Sequence, residues 1–223
     1  MKALVQRQTS KTESLCRLEQ SALTLFSSRG YDGTSLRDIA VAAGVPLSLI
    51  DRHFGHKIQL FQEIQSKIWH SLDKEGAELL TKARSAGKCG LDEIIRSFAK
   101  PVVSLAFKSP DGRATIRLIR ESRAFMIHRH LPHSSQRNAV RQLWIDEFIT
   151  ARPTLTRSHA VWGYSFIVDT VYSSQLLDDW LNDLMPASPG LSVDEVTDTI
   201  VAFCTAGLDA LARLGPLGDT KAG

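Results

Sequence analysis

Apolar residues along this chain recur mostly at steps of three and four, the spacing that places them on one face of an α-helix. Convincing alternation of apolar and polar residues, which would indicate strands, is absent from the sequence. The predicted helices cover about residues 12–29, 35–43, 46–54, 57–83, 91–107, 111–128, 134–151, 157–184 and 192–213. The pattern therefore predicts an all-α protein.

The breaks between the first four predicted helices carry residues with clear conformational preferences. Gly30 directly follows the first helix, and Thr34 stands where the N-cap of the second helix belongs. Gly44 suits a tight turn because glycine adopts a positive φ cheaply, and Pro46 suits the first position of a third helix. That third helix is short and ends near Gly55. Two short helices joined by a glycine turn predict a helix-turn-helix, whose second helix enters the major groove of DNA.

The residues of this segment are more specific than a generic helical corner. They read Ala22-Leu23-x-Leu25-Phe26-x-x-x-Gly30-Tyr31-x-x-Thr34-Ser35-x-x-Asp38-Ile39-Ala40-x-x-Ala43-Gly44-Val45, then His53-Phe54-x-x-Lys57-x-x-Leu60-Phe61. In order and spacing this motif resembles the DNA-binding domain of TetR-family regulators over about residues 12–62. The rest of the chain resembles the family in its length and all-helical layout. The resemblance implies an N-terminal three-helix, helix-turn-helix DNA-binding domain at 1–60 and a larger C-terminal helical ligand-binding and dimerisation domain at 61–223.

The resemblance also assigns roles to the residues of the first domain. Its small core is expected to contain Leu25, Phe26, Ile39, Ala40, Val45, Ile50 and Phe54. The expected DNA contacts lie at the start of the second helix, on the third helix and at the start of the fourth: Thr34, Ser35, Arg37, Pro46, Leu47, Ser48, Arg52, His53 and Lys57. Thr34 has two open interpretations, since an N-cap alone explains it and its hydroxyl could also meet a phosphate.

Asp51 departs from the family pattern, which usually places a tyrosine there against a DNA phosphate. An aspartate is repelled by the phosphate backbone, although it could accept a hydrogen bond from cytosine N4. The third helix is also unusually apolar, with Leu47 and Leu49 where polar residues are common. These residues support an alternative function, a dimeric ligand- or partner-binding protein whose DNA readout has degenerated.

Charge and cysteine content narrow the classes of protein further. The first 60 residues hold eight basic and five acidic residues, whereas the remainder holds 19 of each, so a small positive excess lies in the predicted DNA-binding domain. Three scattered cysteines are typical of reduced thiols rather than a disulfide framework. No apolar run approaches about 18 residues, and the first residues lack the apolar region of a signal peptide. We expect a cytoplasmic protein that does not contact a membrane.

The C-terminal domain carries two apolar faces suited to homodimerisation. One face is expected on the last helix, with Val193, Val196, Ile200, Phe203, Gly207 and Ala210, and the other on the preceding long helix, with Val161, Val168, Tyr172 and Leu176. Two such helices from each subunit would form a four-helix interface. The alternative is that both faces pack inside one subunit.

A pocket for a small-molecule effector is expected among the fifth to eighth helices, placed only coarsely by the resemblance. Its candidate lining residues are Phe98, Phe107, Arg120, Phe125, Trp144, Phe148, Trp162, Phe166 and Asp169. Arg120 belongs to a stripe with Arg113 and Arg117, which would either favour an anionic effector or form a solvated face.

Catalytic and metal-binding motifs do not account for this sequence. The chain contains no nucleophile elbow, phosphate loop, dinucleotide fingerprint or metalloprotease motif, so an enzyme is not expected. His128-x-His130-x-x-His133 lacks the flanking ligands of a zinc site and is better interpreted as exposed histidines, with no metal or cofactor. We expect a ligand-responsive transcriptional regulator, a repressor released from a palindromic double-stranded operator by a small-molecule effector.

Overall fold

The computed structural model describes residues 2–88, 90–128, 135–173 and 191–215. Within these ranges every regular element is an α-helix, which confirms the predicted class. The helices are α1 (Lys2–Arg29), α2 (Leu36–Ala43), α3 (Leu47–His53), α4 (Lys57–Ser85), α5 (Leu91–Lys108), α6 (Pro110–His128), α7 (Ser135–Ala151), α8 (Arg157–Ser173) and α9 (Val193–Leu211). Among them, none is both long and apolar enough to cross a membrane.

Three helix starts differ from the sequence prediction. Helix α1 begins at Lys2 rather than near Thr12. The N-cap of α2 is Ser35 and not Thr34, so that prediction is wrong by one residue. Pro46 is the N-cap of α3, with an extended backbone, rather than its first helical residue. The predicted continuation of α8 to residue 184 lies outside the described residues.

The turn between α2 and α3 has the predicted glycine geometry. Gly44 adopts a φ of 63° and a ψ of 40°, the left-handed conformation that glycine tolerates best. Its N–H donates to the carbonyl of Val41 at 3.1 Å, and the N–H of Val45 donates to that of Ala40 at 3.0 Å. Both bonds satisfy carbonyls at the end of α2, so the turn fixes the direction in which α3 leaves.

Helices α1, α2 and α3 and the first turns of α4 enclose a small core, here called the N-terminal cluster. Its buried members are Leu18, Ala22, Phe26, Ile39, Ala40, Ala43, Ile50, Leu60, Phe61, Ile64 and Leu118. Of the core predicted from sequence, Phe26, Ile39, Ala40 and Ile50 are buried here, and Leu25, Val45 and Phe54 pack against the cluster half-buried. The predicted residues are therefore confirmed as part of this core, which also includes further residues of α1, α2 and α4 and, from α6, Leu118.

A second and larger core, the C-terminal cluster, is built around α5. Apolar residues of α5 are buried along its length, because α4, α6, α7, α8 and α9 all pack against it. The ring of Phe98 lies edge-on to Trp144 at 5.4 Å and to Tyr164 at 5.9 Å, joining α5, α7 and α8. Lys100 on α5 pairs with Asp194 on α9 at 2.9 Å, which fixes how α9 lies along α5.

Helix α4 belongs to both clusters without a break. Its residue Ile64 is buried in the N-terminal cluster, Leu72 is buried in the C-terminal cluster, and Ile68 packs against both. The two cores are therefore joined by a continuous helix rather than by a flexible linker.

Candidate nucleic-acid interface and sensing core

Thr34 lies in the interior instead of capping α2. Its side chain is buried, and its hydroxyl donates to the carbonyls of Leu25 at 3.1 Å and Gly30 at 2.9 Å. The Gly30 carbonyl directly follows α1, where helix geometry leaves carbonyls without intrahelical partners, whereas the Leu25 carbonyl also accepts from the Ser28 hydroxyl at 3.3 Å. Thr34 thus attaches the start of α2 to the end of α1, and its hydroxyl is buried there.

Ser35 performs the capping role instead, in a reciprocal arrangement with Asp38. The Ser35 hydroxyl oxygen accepts from the N–H of Asp38 at 3.1 Å, and the Asp38 carboxylate accepts from the Ser35 N–H at 3.1 Å. The Ser35 hydroxyl also donates to the Asp38 carboxylate at 2.7 Å, and this bond and the bond from the Ser35 N–H lower the pKa of the Asp38 carboxyl. Ser35 remains exposed, so a phosphate can approach the first turn of α2 beside it.

Helix α3 divides into a buried face and an exposed polar face. Ile50 is buried, and Leu47 and Leu49 are half-buried against the N-terminal cluster. The apolar residues that looked unusual for a recognition helix therefore serve partly as packing residues. The exposed residues are Pro46, Ser48, Asp51, Arg52 and His53.

Basic side chains flank the exposed face of α3. Arg37 on α2 is exposed. Lys57, at the start of α4, places its ammonium 4.1 Å from the centre of the Tyr31 ring, a cation–π contact that holds the half-buried side chain in position. Arg17 was not identified from the sequence, and it donates its Nε–H to the carbonyl of Ala43 at 3.3 Å, which ties α1 to the end of α2.

The predicted lining residues of the effector pocket fall into two groups. Phe98, Trp144 and Phe148 are buried in the C-terminal cluster. Phe107, Arg120, Trp162, Phe166 and Asp169 are all exposed, so the structure does not place them around an interior site within one chain. Phe125 lies outside the part of the chain whose side chains are described.

The exposed group includes two neighbouring aromatic side chains on α8. Trp162 and Phe166 have ring centres 5.7 Å apart and leave 54% and 53% of their surfaces exposed. On the neighbouring α9, Phe203 is 70% exposed. Together they define the α8–α9 apolar face, which comprises Val161, Trp162, Phe166, Ala202, Phe203, Ala206, Gly207 and Ala210.

This face contains only part of the dimer surface predicted from sequence. Val161, Phe203, Gly207 and Ala210 lie on it. Ile200, Val168 and Tyr172 instead are buried inside the chain, and Val193 and Val196 pack half-buried against the C-terminal cluster. Leu176 lies outside the described residues. The helical period was identified correctly, but the side of each helix that faces the core was not.

A partly buried ion pair, which the sequence did not reveal, links α4 to α7. Arg137 donates an Nη1–H to the Asp73 carboxylate at 2.5 Å, and its guanidinium lies 3.8 Å from the centre of the Trp69 ring. Trp69 in turn meets Tyr172 edge-on at 5.1 Å. Burial raises the pKa of Asp73 even though the nearby Arg137 charge and hydrogen bond lower it.

The side chains of the histidine motif, His128-x-His130-x-x-His133, lie outside the part of the chain whose side chains are described. Across the described residues, no three histidine, cysteine or acidic side chains cluster as metal ligands would. His130 and His133 lie outside those residues. The thiol of Cys204 is buried, and this burial raises its pKa to about 11, which leaves it protonated.

Two protein-family descriptions match separate segments of the chain. Residues 20–64 match bacterial regulatory proteins of the tetR family, and residues 96–207 match the tetracyclin repressor-like C-terminal domain. No curated protein matches the chain at a significant level. The first match covers the helix-turn-helix, and the second covers α5 to most of α9.

Solved structures resemble the whole arrangement at low sequence identity. The ketosteroid transcriptional regulator of Mycobacterium tuberculosis is 19% identical with a TM-score of 0.57, over 85% of this chain and 92% of that chain. A TetR-family transcriptional regulator from Streptomyces coelicolor is 18% identical with a TM-score of 0.55, over 90% and 97%. The superantigen PfiT is 19% identical with a TM-score of 0.57, over 83% and 93%. At these identities the likeness establishes the fold.

Proposed function

The chain belongs to the tetR family of bacterial regulatory proteins, and from this premise we propose that it is a ligand-responsive repressor. A small-molecule effector would release it from a palindromic operator. The observation that carries the proposal is α3, which is fixed by the Gly44 turn, buried along one side and polar along the other. A helix held in this way can present side chains to base edges in the major groove.

We propose that the DNA contacts come from the exposed polar face and its basic flanks. Arg52 would read a guanine or a phosphate, and Ser48 and His53 lie on the same exposed side. Ser35, Arg37 and Lys57 would contact phosphates. Pro46 and Leu47 would lie closest to the base edges at the start of α3.

A dimer would present two recognition helices to a two-fold symmetric operator. The α8–α9 apolar face supports this, because exposed aromatic rings beside small residues allow two copies of α8 and α9 to pack closely as a four-helix interface. Two recognition helices must then lie about 34 Å apart, one turn of DNA. We further propose that residues 1–60 and 61–223 act as DNA-binding and sensing domains in the cytoplasm.

The test of DNA binding is fluorescence polarisation with DNA from beside the protein's own coding region, titrated with salt. A specific site should bind with a steep salt dependence, because basic side chains displace counterions from phosphates. Arg52→Ala should weaken binding by about 1–3 kcal/mol. Arg157→Ala is the control, since Arg157 is exposed on α8, far along the chain from the helix-turn-helix. Equal losses for both variants would count against the assignment.

The test of dimerisation is the molar mass of Phe203→Asp in solution. A buried charge at the centre of the interface should convert the dimer to a monomer and weaken operator binding at the same time. Val41→Asp is the control for the molar mass alone, because Val41 is an exposed apolar residue on α2 of the helix-turn-helix, away from the α8–α9 apolar face. A wild-type protein that is already monomeric would contradict this part of the proposal.

Asp51 supports a second function, a dimeric ligand- or partner-binding protein without specific DNA readout. Its carboxylate is exposed on the polar face of α3, where it repels phosphates. Asp51→Asn separates the two functions. If Asp51 reads a base, the variant should lose specificity, whereas relief of repulsion should tighten binding to every sequence.

A further inference from the structure

The ion pair between Asp73 and Arg137 differs in its burial from the other arginine pairs of the described residues. Only 13% of the Arg137 side chain and 16% of the Asp73 side chain are exposed. The arginines of the other pairs, at positions 84, 96, 152 and 157, leave 33% to 58% of their side chains exposed. A buried pair contributes little net stability, because removing both charges from water costs about as much as their attraction returns.

Aromatic rings form the surroundings of this pair. The Arg137 guanidinium stacks on Trp69, whose other contact is the edge of Tyr172 on α8. A guanidinium that is held flat against an indole keeps its N–H donors directed in its own plane, which suits a planar carboxylate. The site therefore joins the Arg137 cation of α7 to aromatic rings that α4 and α8 supply.

Asp73 is the member of the pair that can lose its charge, by taking up a proton. Desolvation raises its pKa by more than the charges of Arg137, His70 and Arg141 lower it, so its carboxylate takes up a proton more readily than an exposed one. The guanidinium of an arginine side chain is a permanent cation in proteins. An incoming anion therefore competes with Asp73 for a permanent cation.

We propose that the effector of this regulator is a carboxylic acid whose carboxylate replaces Asp73 on Arg137. In this exchange one effector anion and one proton enter together, the Arg137–Asp73 bond breaks, and an Arg137–effector bond and a neutral Asp73 form. The inference rests on the proposed function, because the broken bond is a link between α4, which reaches the N-terminal cluster, and α7. Loss of this link gives the effector a direct route to the DNA-binding region.

The test measures binding of four acids, hexanoate, decanoate, benzoate and phenylacetate, each beside its neutral amide. Isothermal titration of the wild-type protein in two buffers with different ionisation enthalpies should show uptake of about one proton per acid bound. Affinity for an acid that binds should rise up to about tenfold for each unit of falling pH while Asp73 is ionised in the free protein. The amides should bind more weakly and without a proton.

Three variants locate the effect. Asp73→Asn leaves Arg137 without its competing carboxylate, so acids should bind more tightly and without proton uptake. Arg137→Gln should bind acids no better than amides. Glu147→Gln is the matched control, because Arg84 and Glu147 also pair α4 with α7, but at a more exposed position.

The proposal is overturned if neither the wild-type protein nor Asp73→Asn prefers an acid to its amide, or if acids bind without proton uptake to the wild-type protein. The wild-type measurement stands without any variant, so a destabilised Asp73→Asn does not weaken the test. Operator binding without acids is measured separately. A protein that binds its operator but ignores all four acids refutes the acid effector alone, whereas one that binds no operator refutes the repressor function.

Discussion

The polar groups in and beside the two clusters differ in what they bond to. In the N-terminal cluster, Thr34 uses its hydroxyl to close the backbone between α1 and α2. Beside the C-terminal cluster, Asp73 and Arg137 are partly buried charged groups that bond to each other across two helices. The Thr34 hydroxyl bonds to fixed backbone carbonyls and keeps one arrangement. On Arg137, by contrast, the Asp73 carboxylate can be replaced by the carboxylate of another molecule. The first region is thus built for a fixed shape, and the second for exchange.

The largest effects on stability are expected when one buried phenylalanine of each cluster is replaced by alanine. Phe26 and Phe148 are both fully buried, so replacement by alanine should lower the free energy of unfolding by about 3–5 kcal/mol in either case. All tryptophans lie at position 69 or later, so tryptophan emission reports the C-terminal cluster. When urea unfolding is followed by tryptophan emission, the midpoint of the transition should move to a clearly lower urea concentration for Phe148→Ala.

Phe26→Ala should instead abolish operator binding while shifting the tryptophan-detected transition less. Circular dichroism, which detects all the helices, would then show two transitions instead of one. If both probes shift together by the same amount, α4 couples the clusters into a single cooperative unit, and the contrast between them is not energetic.

Two glycines, one in each region, are required for different physical reasons. Gly76 lies on α4, where an added Cβ would come within 2.9 Å of the Ser97 carbonyl and 3.2 Å of Trp144. Gly76→Ala should therefore cost about 1–3 kcal/mol through overpacking. An added Cβ at Gly44 meets nothing within 4 Å, so the cost there, about 1–2 kcal/mol, comes from the left-handed backbone.

Substitution by asparagine distinguishes overpacking at Gly76 from backbone strain at Gly44. It tolerates the left-handed conformation, so Gly44→Asn should be milder than Gly44→Ala, whereas Gly76→Asn should be worse than Gly76→Ala. Thermal unfolding of the four variants gives the comparison. The same ranking at both positions would show that a single cause applies.

Removal of the Thr34 hydroxyl should have a smaller effect, confined to the N-terminal region. Thr34→Val removes a buried hydroxyl donor from the carbonyls of Leu25 and Gly30, at a cost of about 1–2 kcal/mol. Thr24→Val is the control, because its hydroxyl donates to Gln20 at an exposed site and should matter by less than about 0.5 kcal/mol. Urea unfolding measures both, and equal costs would contradict a structural role for Thr34.

The smallest expected effects concern two matching helix caps. Ser35 with Asp38 caps α2, and Ser192 with Glu195 caps α9 by the same reciprocal bonds. Ser35→Ala and Ser192→Ala should each cost about 1 kcal/mol. Since both cap residues are exposed, similar losses are expected in the two regions.

The caps also set a pH dependence. The serine bonds lower the pKa of Asp38 and of Glu195 below the ordinary values of 3.8 and 4.5. A lowered folded-state pKa contributes stability above the ordinary value, and that contribution is lost as the pH falls through the folded-state pKa. Carboxyl titration by NMR should show each pKa rise in the matching serine variant. An unchanged value would contradict the capping assignment.

Sequence reasoning succeeded where the controlling interactions are local. The Gly44 turn and the Ile50 side of α3 were predicted because each depends on a few neighbouring residues. The cap of α2 was assigned one residue too early, since Thr34 and Ser35 carry the same hydroxyl chemistry and only the packing against α1 distinguishes them.

Long-range packing explains what the sequence did not show. Helix α8 carries aromatic residues on two sides, and periodicity alone does not say that Tyr164 faces the core while Trp162 faces outward. Asp73 and Arg137 are 64 residues apart, with no local pattern to connect them. Their pairing appears only once α7 lies against α4.

The unbroken course of α4 through both clusters limits how proteins of this design can change in evolution. Inserting one residue between Ile64 and Leu72 would turn one cluster against the other by about 100° and move them about 1.5 Å apart. Sensing and DNA-binding halves from different ancestors can therefore be fused within this helix only in register. New specificities are easier to acquire by substitution around a fixed α4 than by exchange of whole halves.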